Sequence, residues 1–549
     1  MSRAAPTDAF LPPGPGGWDL DLTHYPGGTT PISQMLMGGC PAGIRKAFAE
    51  FGMAAETLDV RFVNGFMYSR LRPLIRPDKP AEKLPPVALL KLAVRLHPQM
   101  RRRAAVAART MAERPWRTVI ADWHATTRPR LEARNLELQD VDPGTLDDDG
   151  LAQHLSAVLD WLRETFTLHF YLHVFDLGPI GLLVYDAERW GLPADDVVRA
   201  LEGASPSTSA PGELLAELRA ELRSHGVEPT SLDGVRAASP RASELLGAYL
   251  RRRGNLLVTR YDLDGQTLGE RPETVLASII AGPPAGADHR RAEALATELR
   301  ALVPTDERAR FDERLAEARA AMDLRDDNGP CTAEWPLGLL RRALLVLGGR
   351  LVAEGRAERP AHVFELEPGE VDALARRREG PSAAALAARA VERQRLARLD
   401  APTHLGPVEP DPPMSVLAPA HQLMVGSVRA VLQLMGLAAS AARAPLSGSG
   451  VGTATYRGVA RIAADPESAL DRLEPGDVLV VRCTTPAYNT VLSIAGAIVT
   501  TEGGSLSHAA VMARELGIPA VIGASGALQL RDGAVVDVDP VRGEVRVVS

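Results

Sequence analysis

Residues 500–523, TTEGGSLSHAAVMARELGIPAVIG, decide the fold of the C-terminal part of this chain. The run just before them, residues 495–500 (AGAIVT), is short and apolar, which is typical of a buried parallel strand. Gly503 and Gly504 then allow the backbone to turn sharply and to approach a ligand without a Cβ in the way. The stretch therefore begins with a predicted strand and a glycine turn.

A short helix is predicted directly after this turn. Either Ser505 or Ser507 can cap its N-terminus, the helix covers residues 509–516, and Gly517 can end it in the left-handed conformation. A second apolar run follows, so the pattern predicts strand, turn, helix and strand. This order places His508 in the first turn of the helix.

His508 lies where a helix presents free N–H groups and the positive end of its dipole, which suits an anion. An imidazole with an unprotonated nitrogen is also a nucleophile near neutral pH, and a phosphoryl group attached to it would meet those donors. The structural alternative is that His508 only helps to cap the helix. Residue chemistry alone leaves both interpretations open.

The string TEGGxxSHAAVxARExGIPAV over residues 501–521 resembles the swivelling phosphohistidine domain of the phosphoenolpyruvate (PEP)-utilising enzymes. Pyruvate phosphate dikinase, PEP synthase and rifampicin phosphotransferase belong to that family. The resemblance implies that His508 takes a phosphoryl group from ATP and carries it to a second site. We expect Arg514, Ser507 and the amides of Gly503 and Gly504 to hold the phosphoryl oxygens, because such transfers depend on charge stabilisation.

The flanking sequence predicts a complete small α/β domain over residues 447–549. Residues 475–481 predict a turn and a strand, and residues 532–539 with 543–545 predict a closing hairpin. Residues 484–489 (TTPAYN) depart from the family's pattern after the Thr-x-Pro step. We expect that loop to face the incoming partner site.

Composition limits the function classes. The 549 residues predict two to four domains, and the net charge of −7 without a basic block interleaved with aromatics argues against nucleic-acid or anionic-membrane binding. Three scattered cysteines predict a reducing compartment without a disulfide framework. We find no signal peptide and expect no apolar run of membrane-spanning length, so the expected location is cytoplasmic.

The remainder of the chain is predicted to be mostly helical, because apolar positions recur at helical spacing from residue 85 to residue 398 with few strands between them. Prolines between residues 402 and 419 mark a linker, which is followed by a helix over 421–437. The predicted fold class is multidomain α+β: a mostly helical acceptor-binding domain at 1–400, a linker with a helix at 401–446, and the phosphohistidine domain at 447–549.

Two histidines on one predicted helix are candidates for the acceptor site. His169 and His173 fall one turn apart on one face, and Asp176 follows them. Such a pair can bind zinc, can line a substrate cavity, or can be hydrogen-bonded inside the core; the Glu of the hydrolytic zinc motif is absent, and we predict no metal. A hydroxyl acceptor needs a base, and either histidine is a candidate for that role.

Residues 61–68 (RFVNGFMY) predict a strand or one arm of a hairpin. The structural interpretation is a β element packed on the helices. The functional interpretation is that Arg61 and Asn64 point into a ligand pocket, and we include both as candidate substrate-binding residues.

Scattered strings between residues 18 and 399 also resemble the helical acceptor-binding domain of rifampicin phosphotransferase-type enzymes. They are His24-Tyr25-Pro26, Val63-Asn64-Gly65-Phe66, His169 and His173 with Asp176, Tyr261-Asp262-Leu263 with Glu270-Arg271-Pro272, Arg325-Asp326-Asp327, and Val363-Phe364-Glu365-Leu366 with Glu370. The string Gly254-Asn255-Leu256 departs from the family's pattern. A rifamycin acceptor is therefore not assumed.

The layout is similar to rifampicin phosphotransferase and PEP synthase-like proteins without their ATP-grasp domain. We therefore expect a phosphotransferase component with no tightly bound cofactor, which receives ATP and Mg²⁺ through an ATP-grasp partner protein, as in phenylphosphate synthase. The expected acceptor is a hydroxyl or carboxylate of a small molecule. The alternatives are an inactive homologue that binds a ligand or a partner, and a chain that uses ATP through its own unrecognised site.

Overall fold

A computed structural model describes residues 8–21, 24–25, 27–79, 83–281, 289–435, 444–484 and 488–548. Within those ranges the strands are β1 Trp18–Asp21, β2 Ala55–Val63, β3 Phe66–Pro73, β4 His404–Leu405, β5 Ser449–Val451, β6 Tyr456–Ile462, β7 Val478–Val481, β8 Ala497–Thr500, β9 Ala520–Ile522, β10 Val535–Asp539 and β11 Glu544–Val547.

The α-helices of the same ranges are α1 Pro31–Leu36, α2 Gly39–Phe51, α3 Val87–Leu96, α4 Pro98–Glu113, α5 Trp116–Asp122, α6 Arg128–Asp140, α7 Asp148–Arg189, α8 Ala194–Arg199, α9 Pro206–Ser224, α10 Leu232–Ala238, α11 Pro240–Arg253, α12 Pro272–Ala281, α13 His289–Leu302, α14 Arg308–Gly329, α15 Trp335–Ala353, α16 Pro368–Ala375, α17 Ala383–Leu396, α18 Pro419–Leu434, α19 Pro466–Arg472, α20 Asn489–Leu492 and α21 His508–Leu516. About 59% of the chain is helical, and the described residues form two sheets, which is consistent with a multidomain α+β protein.

The chain divides into two compact units, each made of separate stretches. Unit 1 comprises Met1–Phe175, Tyr261–Asp264 and Asn328–Val425, and unit 2 comprises Asp176–Arg260, Gly265–Asp327 and Gly426–Ser549. The sequence predicted consecutive domains at 1–400, 401–446 and 447–549, and those boundaries stay a prediction.

Unit 1 contains an antiparallel sheet of order β2-β3-β1-β4. β2 and β3 form a hairpin in which Val63 pairs with Phe66, and the turn residues Asn64 and Gly65 have φ angles of 51° and 79°. Asn-Gly favours this two-residue turn because both positions need a positive φ. The predicted β element at residues 61–68 is confirmed.

The long helix α7 runs for 42 residues and carries His169 and His173. By length and composition it is apolar enough to cross a membrane, although half of its most apolar window is buried inside the protein. The expectation that no segment has this length and apolar character is therefore wrong. A single helix of this kind is weak evidence for a span, since core helices share both properties.

A π-helical turn at Pro330–Glu334 in unit 1 lies between α14 and α15. Pro330 has no backbone N–H to give to the regular helical ladder, so the register of the hydrogen bonds widens at this point. Thr332 lies within this turn, and its side chain is fully buried. π-turns of this kind are frequent at functional sites.

Unit 2 is built around a seven-stranded sheet of order β11-β10-β6-β7-β8-β9-β5. The pairs β6–β7, β7–β8 and β8–β9 are parallel, and the others are antiparallel. The middle strands β7 and β8 are buried along their whole length, as their unbroken apolar runs require. The strands predicted within residues 475–481 and 495–500 and the closing hairpin are confirmed.

A buried ion-pair cluster fixes α14 within unit 2. Asp186, near the end of α7, is 1% exposed and accepts hydrogen bonds from Arg310 at 2.9 and 2.7 Å and from Arg314 at 3.0 Å. A buried carboxylate needs such partners, because neither charge is stable alone away from water. The cluster holds the helix that carries Arg325.

We expect Asp186→Ala to lower the free energy of unfolding of unit 2 by about 3 kcal/mol, because it leaves the guanidinium of Arg314 buried without its main partner. Urea unfolding measures this loss. The matched control is Asp312→Ala on the same helix as Arg314, which breaks an exposed pair with Arg300 and should change the same free energy by less than about 1 kcal/mol. Equal losses in the two variants would contradict the assigned role of the cluster.

Candidate functional site

The backbone before α21 requires its two glycines. Gly503 has a φ of 111°, and a Cβ there would lie 2.9 Å from the hydroxyl of Ser507. A Cβ on Gly504 would overlap the backbone carbonyl of Leu434, which also accepts the N–H of Leu506 at 2.7 Å. The glycines therefore allow the turn to pack closely against α18. Their predicted contact with a phosphoryl group stays a prediction.

Helix α21 starts one residue earlier than predicted, with His508 as its first residue. Ser507 is the N-cap: its backbone is extended and its hydroxyl accepts the N–H of Ala510 at 3.5 Å. Gly517 ends the helix in the left-handed conformation, with a φ of 66°. Both caps agree with the prediction from sequence, and His508 lies at the positive end of the helix dipole.

Both nitrogens of the His508 ring are hydrogen-bonded. Nδ1 lies 2.7 Å from Oγ1 of Thr484, and Nε2 lies 2.8 Å from Oδ1 of Asn489. A hydroxyl can donate or accept and a primary amide offers an oxygen and an NH₂ group, so this pair of partners satisfies either neutral tautomer. The ring is partly exposed. These two hydrogen bonds therefore fix the orientation of the ring.

The surroundings of His508 keep its ring neutral. Loss of water around the ring, together with the nearby positive charge of Arg325, lowers the pKa of His508 to about 3. An imidazole with that pKa retains a lone pair throughout the physiological pH range. The arrangement places a neutral imidazole at a helix N-terminus.

Arg325, at the C-terminal part of α14, supplies a cation beside this helix start. Its Nη2 donates to the carbonyl of Leu506 at 2.9 Å. Its Nη1 is buried and has no hydrogen-bond partner among the described residues, and the carboxylate of Asp326 lies 3.7 Å away. This guanidinium therefore has donor capacity left over close to the ring of His508.

The other end of α21 packs against the segment around α8. Arg514 is buried, donates to the carbonyl of Ser505 and has its Nε 3.6 Å from Glu202, and burial together with neighbouring arginines lowers its pKa to about 10. Glu515 accepts the N–H of Gly203 at 3.1 Å, and burial raises its pKa to about 7. The cavity left here is about 10 Å³, the space of at most one water. A phosphoryl contact of Arg514 stays a prediction.

In unit 1 the two histidines that the sequence offered as acceptor-site candidates lie within hydrogen-bond distance of each other. The Nε2 atoms of His169 and His173 lie 3.1 Å apart, and Nδ1 of His169 lies 2.9 Å from Oγ1 of Thr332. Phe170 lies edge-on to the ring of His169, with 4.9 Å between centroids. Both histidines are partly exposed. No group of three or more metal-ligating side chains occurs in the described part of the chain.

The remaining candidate residues lie elsewhere. Asp176 is fully buried on α7, three residues after His173. Arg61 is exposed and donates to the carbonyl of Val60, while Asn64 donates to the carbonyl of Ala9 at the hairpin turn. Neither of these last two makes a hydrogen bond or ion pair with the histidines among the described residues. Their predicted role in substrate binding stays a prediction.

Sequence reasoning missed three partners of the candidate site. Thr484 and Asn489 belong to the loop that was expected to face a partner. Residues 485–487 of that loop lie outside the described residues. Nothing in the linear sequence pattern indicated that Thr484 or Asn489 contacts His508. Arg325 was noted only as part of a resemblance. Its contact with Leu506 joins residues 181 positions apart, which no local pattern can reveal.

Comparison with known proteins gives a match at the C-terminal end of the chain. Residues 473–543 match the family described as PEP-utilising enzyme, mobile domain. An uncharacterized protein of Mycobacterium tuberculosis (strain ATCC 25618 / H37Rv) is 38% identical over 213 residues, which are 38% of this chain and 22% of that protein.

Two relatives with more informative names match a shorter part. The phosphoenolpyruvate synthase of Aeropyrum pernix is 48% identical over 89 residues, 16% of this chain and 11% of the synthase. An uncharacterized phosphotransferase of Bacillus subtilis (strain 168) is 53% identical over 76 residues, 14% of this chain and 9% of that protein. The matched parts thus span less than a quarter of these relatives.

We expect the His508 ring to stay neutral between pH 5 and pH 8, because its lowered pKa lies below that window. Ring-¹⁵N histidine NMR, assigned with His508→Asn, measures its protonation. His404 is the internal control: a hydrogen bond to Asp19 raises its pKa above the ordinary 6.5, so its ring should be protonated at pH 5. A His508 titration midpoint near 6.5 would disprove the desolvated environment.

Proposed function

We propose that this chain, which belongs to the PEP-utilising enzymes through its mobile domain, is a phosphotransferase component that carries a phosphoryl group on His508. The observation that carries the proposal is the neutral, oriented, partly exposed imidazole at a helix N-terminus beside Arg325. A ring used only as a helix cap would need no neighbouring cation, whereas phosphoryl transfer through a histidine uses one.

The chemistry takes two displacements. In the first, the lone pair of His508 attacks a phosphoryl group of ATP, an N–P bond forms, and the P–O bond to the nucleotide breaks. In the second, an acceptor oxygen attacks the same phosphorus and the N–P bond returns its electron pair to the ring. Each transfer depends on placement and on stabilisation of charge on the phosphoryl oxygens.

Arg325 fits the role of charge partner for the phosphoryl group. Its Nη2 is held by the carbonyl of Leu506, two residues before His508, while Nη1 is buried with donor capacity to spare. Guanidinium groups suit phosphoryl oxygens because their N–H groups lie in one plane and keep their charge. In this arrangement the chain itself supplies a cation for the phosphorylated state.

The remaining parts of the proposal concern partners. A separate ATP-grasp protein would bind ATP and Mg²⁺ and phosphorylate His508, after which a small molecule is phosphorylated on a hydroxyl or carboxylate. Residues 1–400 would supply the acceptor site, with Arg61, Asn64, His169, His173 and Asp176 as the candidate ligands. The proposed location is the cytoplasm, in keeping with the reduced state of the three cysteines.

The competing function is a ligand-binding or partner-binding module that has lost its activity. The environment of His508 argues against it, because strongly shifted pKa values beside a charged neighbour cluster at functional sites. In a third function, the chain would use ATP without a partner protein. One labelling experiment distinguishes all three functions.

We expect the chain, incubated with the candidate ATP-grasp protein, Mg²⁺ and ATP labelled at the β or γ position, to acquire an acid-labile, base-stable label. The label should be absent from His508→Asn and retained in the control His225→Asn, because His225 is an exposed histidine remote from the active turn. Comparison of the two ATP labels identifies the phosphoryl group transferred. Absence of label with every partner supports the binding module, and labelling without a partner supports self-sufficient ATP use.

We expect Arg325→Gln to slow transfer from phosphorylated His508 by about 100-fold, the usual effect of removing one donor that stabilises transition-state charge. Single-turnover loss of label from His508 measures the rate. The control is Arg300→Gln, an exposed arginine of α13 paired with Asp312, which should transfer at the wild-type rate. A wild-type rate in Arg325→Gln would remove Arg325 from the mechanism.

A further inference from the structure

Helix α3 in unit 1 exposes a continuous row of leucines. Leu89, Leu92 and Leu96 are 60%, 53% and 62% exposed, and no residue of the helix is buried. Positions i, i+3 and i+7 lie on one face of a helix, so the three side chains form a single row over successive turns. Apolar residues that are exposed singly need no explanation, whereas a contiguous apolar row marks an interaction surface.

A different side of α3 holds the helix to the protein. Leu90 and Val94 are partly buried, and the helix packs on α4 and on the 3₁₀ turn Met414–Val416. Since each residue turns the helix by about 100°, the leucine row lies about 150° around the helix axis from these two residues. The row is therefore not the face by which α3 is held in the fold.

Cations accompany this row. Residues 83–112 contain seven lysines and arginines and no Asp or Glu, in a chain whose net charge is −7. Lys91 and Arg95 lie one turn apart on α3 and flank one edge of the row, and Arg101 and Arg102 follow on α4. All four side chains are exposed, and none forms an ion pair within the described ranges. Their charges are available to an anionic surface.

A lipid bilayer with anionic headgroups fits this combination. Helices that lie in a membrane interface bury an apolar row at the boundary of the acyl chains and keep Lys and Arg among the headgroups. Long basic side chains reach that level because their stems are apolar. With ten residues, α3 is about 15 Å long and too short to cross the hydrocarbon core, so it can only lie on the surface.

Two other occupants fit the row less well. Protein partners are held mainly by Trp, Tyr and Arg, and Leu is under-represented among the residues that dominate their affinity. The exposed row consists of leucines alone, and residues 83–112 contain no aromatic residue of the Phe, Trp or Tyr type. A second copy of the chain would bring two positively charged segments together across a symmetric contact, which like-charge repulsion disfavours.

The overall net charge gave the expectation that anionic membranes are not bound, and screening explains why the local charge matters more. At physiological ionic strength the interaction between exposed charges fades beyond about 8 Å. A membrane is therefore sensitive mainly to the side chains that face it, and each Lys or Arg close to an anionic surface strengthens binding by about five-fold. The acidic residues elsewhere on the chain lie outside that range when residues 83–112 face the lipid.

We propose that α3 binds the surface of anionic lipid bilayers through Leu89, Leu92 and Leu96 together with Lys91 and Arg95, which we name the α3 surface. The leucines enter the boundary of the acyl chains, and the two cations contact lipid phosphate groups. Binding is peripheral and reversible, because one short row supplies little apolar area. The proposal is independent of the phosphohistidine chemistry, and it agrees with a cytoplasmic location because the cytoplasmic leaflet carries the negative surface potential.

Sedimentation of the full chain with lipid vesicles tests the proposal. We expect binding to vesicles of equal parts phosphatidylglycerol and phosphatidylcholine, and binding to phosphatidylcholine alone that is weaker by about ten-fold or more. Raising NaCl from about 0.05 M to about 0.5 M should weaken binding to the anionic vesicles by about ten-fold or more, because exposed charges are screened. Failure to bind either kind of vesicle would overturn the proposal and leave a protein as the occupant.

Two double variants separate the apolar and the charged contributions. Leu89→Gln/Leu92→Gln should weaken binding to anionic vesicles by about ten-fold or more, because it removes apolar side chains that enter the bilayer. Lys91→Gln/Arg95→Gln should weaken it by about 25-fold, since two cations are lost. All four residues are exposed, so the free energy of unfolding measured in urea should stay close to that of the wild type.

Matched controls change the same residue types on other helices. Leu302→Gln/Val391→Gln replaces apolar residues that are 68% and 67% exposed, and Arg290→Gln/Arg398→Gln replaces two exposed arginines. Both controls should bind anionic vesicles as the wild type does. Wild-type affinity in Leu89→Gln/Leu92→Gln would mean adhesion by charge alone and would overturn the insertion of the leucine row.

Two further readouts locate the contact and identify a competing occupant. Hydrogen exchange of the full chain should slow by about five-fold or more over residues 87–96 when anionic vesicles are added, because a helix of this length gains stability from a covered face. Protection confined to other segments would overturn the assignment of the α3 surface. Sedimentation velocity without vesicles should show no association that Leu89→Gln/Leu92→Gln removes; such association would assign the surface to a second copy of the chain instead.

Discussion

The surrounding protein shields the ring of His508 from water, and the positive charge of Arg325 lies near it. Both effects keep the ring neutral, and the phosphoryl transfer proposed for the site requires that neutral state. A protonated imidazole could not attack phosphorus. Desolvation alone would also make a polar ring costly, and the hydrogen bonds to Thr484 and Asn489 offset that cost. The same two contacts aim the ring, so one set of interactions sets both its charge and its direction.

Local patterns in the sequence were sufficient for the elements that create the site. Two glycines, a capping serine and a terminal glycine are short-range signals, and the structure has the turn, the N-cap and the left-handed end at those residues. The Asn64-Gly65 hairpin was predictable for the same reason, since both turn residues adopt a positive φ. Each of these signals acts within a few residues along the chain.

What the sequence could not supply depends on tertiary contacts or on an altered helical register. The contact of Arg325 with Leu506 joins distant segments. Thr332 reaches His169 from a π-turn, and a pattern based on 3.6 residues per turn misplaces a side chain there. The long apolar run of α7 was also missed, because charged and polar residues interrupt a helix that is buried only in part.

The two units hold histidines in different chemical situations. His508 in unit 2 keeps a lone pair that can take up phosphorus, and it has a cation beside it for the charge that arrives. His169 and His173 in unit 1 form a hydrogen-bonded pair, and the other ring nitrogen of His169 contacts the hydroxyl of Thr332.

Helix α21 is nine residues long, about 13 Å, which is too short to flex appreciably. His508 stands at its first residue, whereas Arg514 and Glu515 near its end are anchored to Glu202 and Gly203. Because a helix of this length is stiff, the contacts of Arg514 and Glu515 also help to set where the imidazole lies. Burial raises the pKa of Glu515 to about 7, so one of these remote contacts involves a carboxyl group that changes its charge near neutral pH.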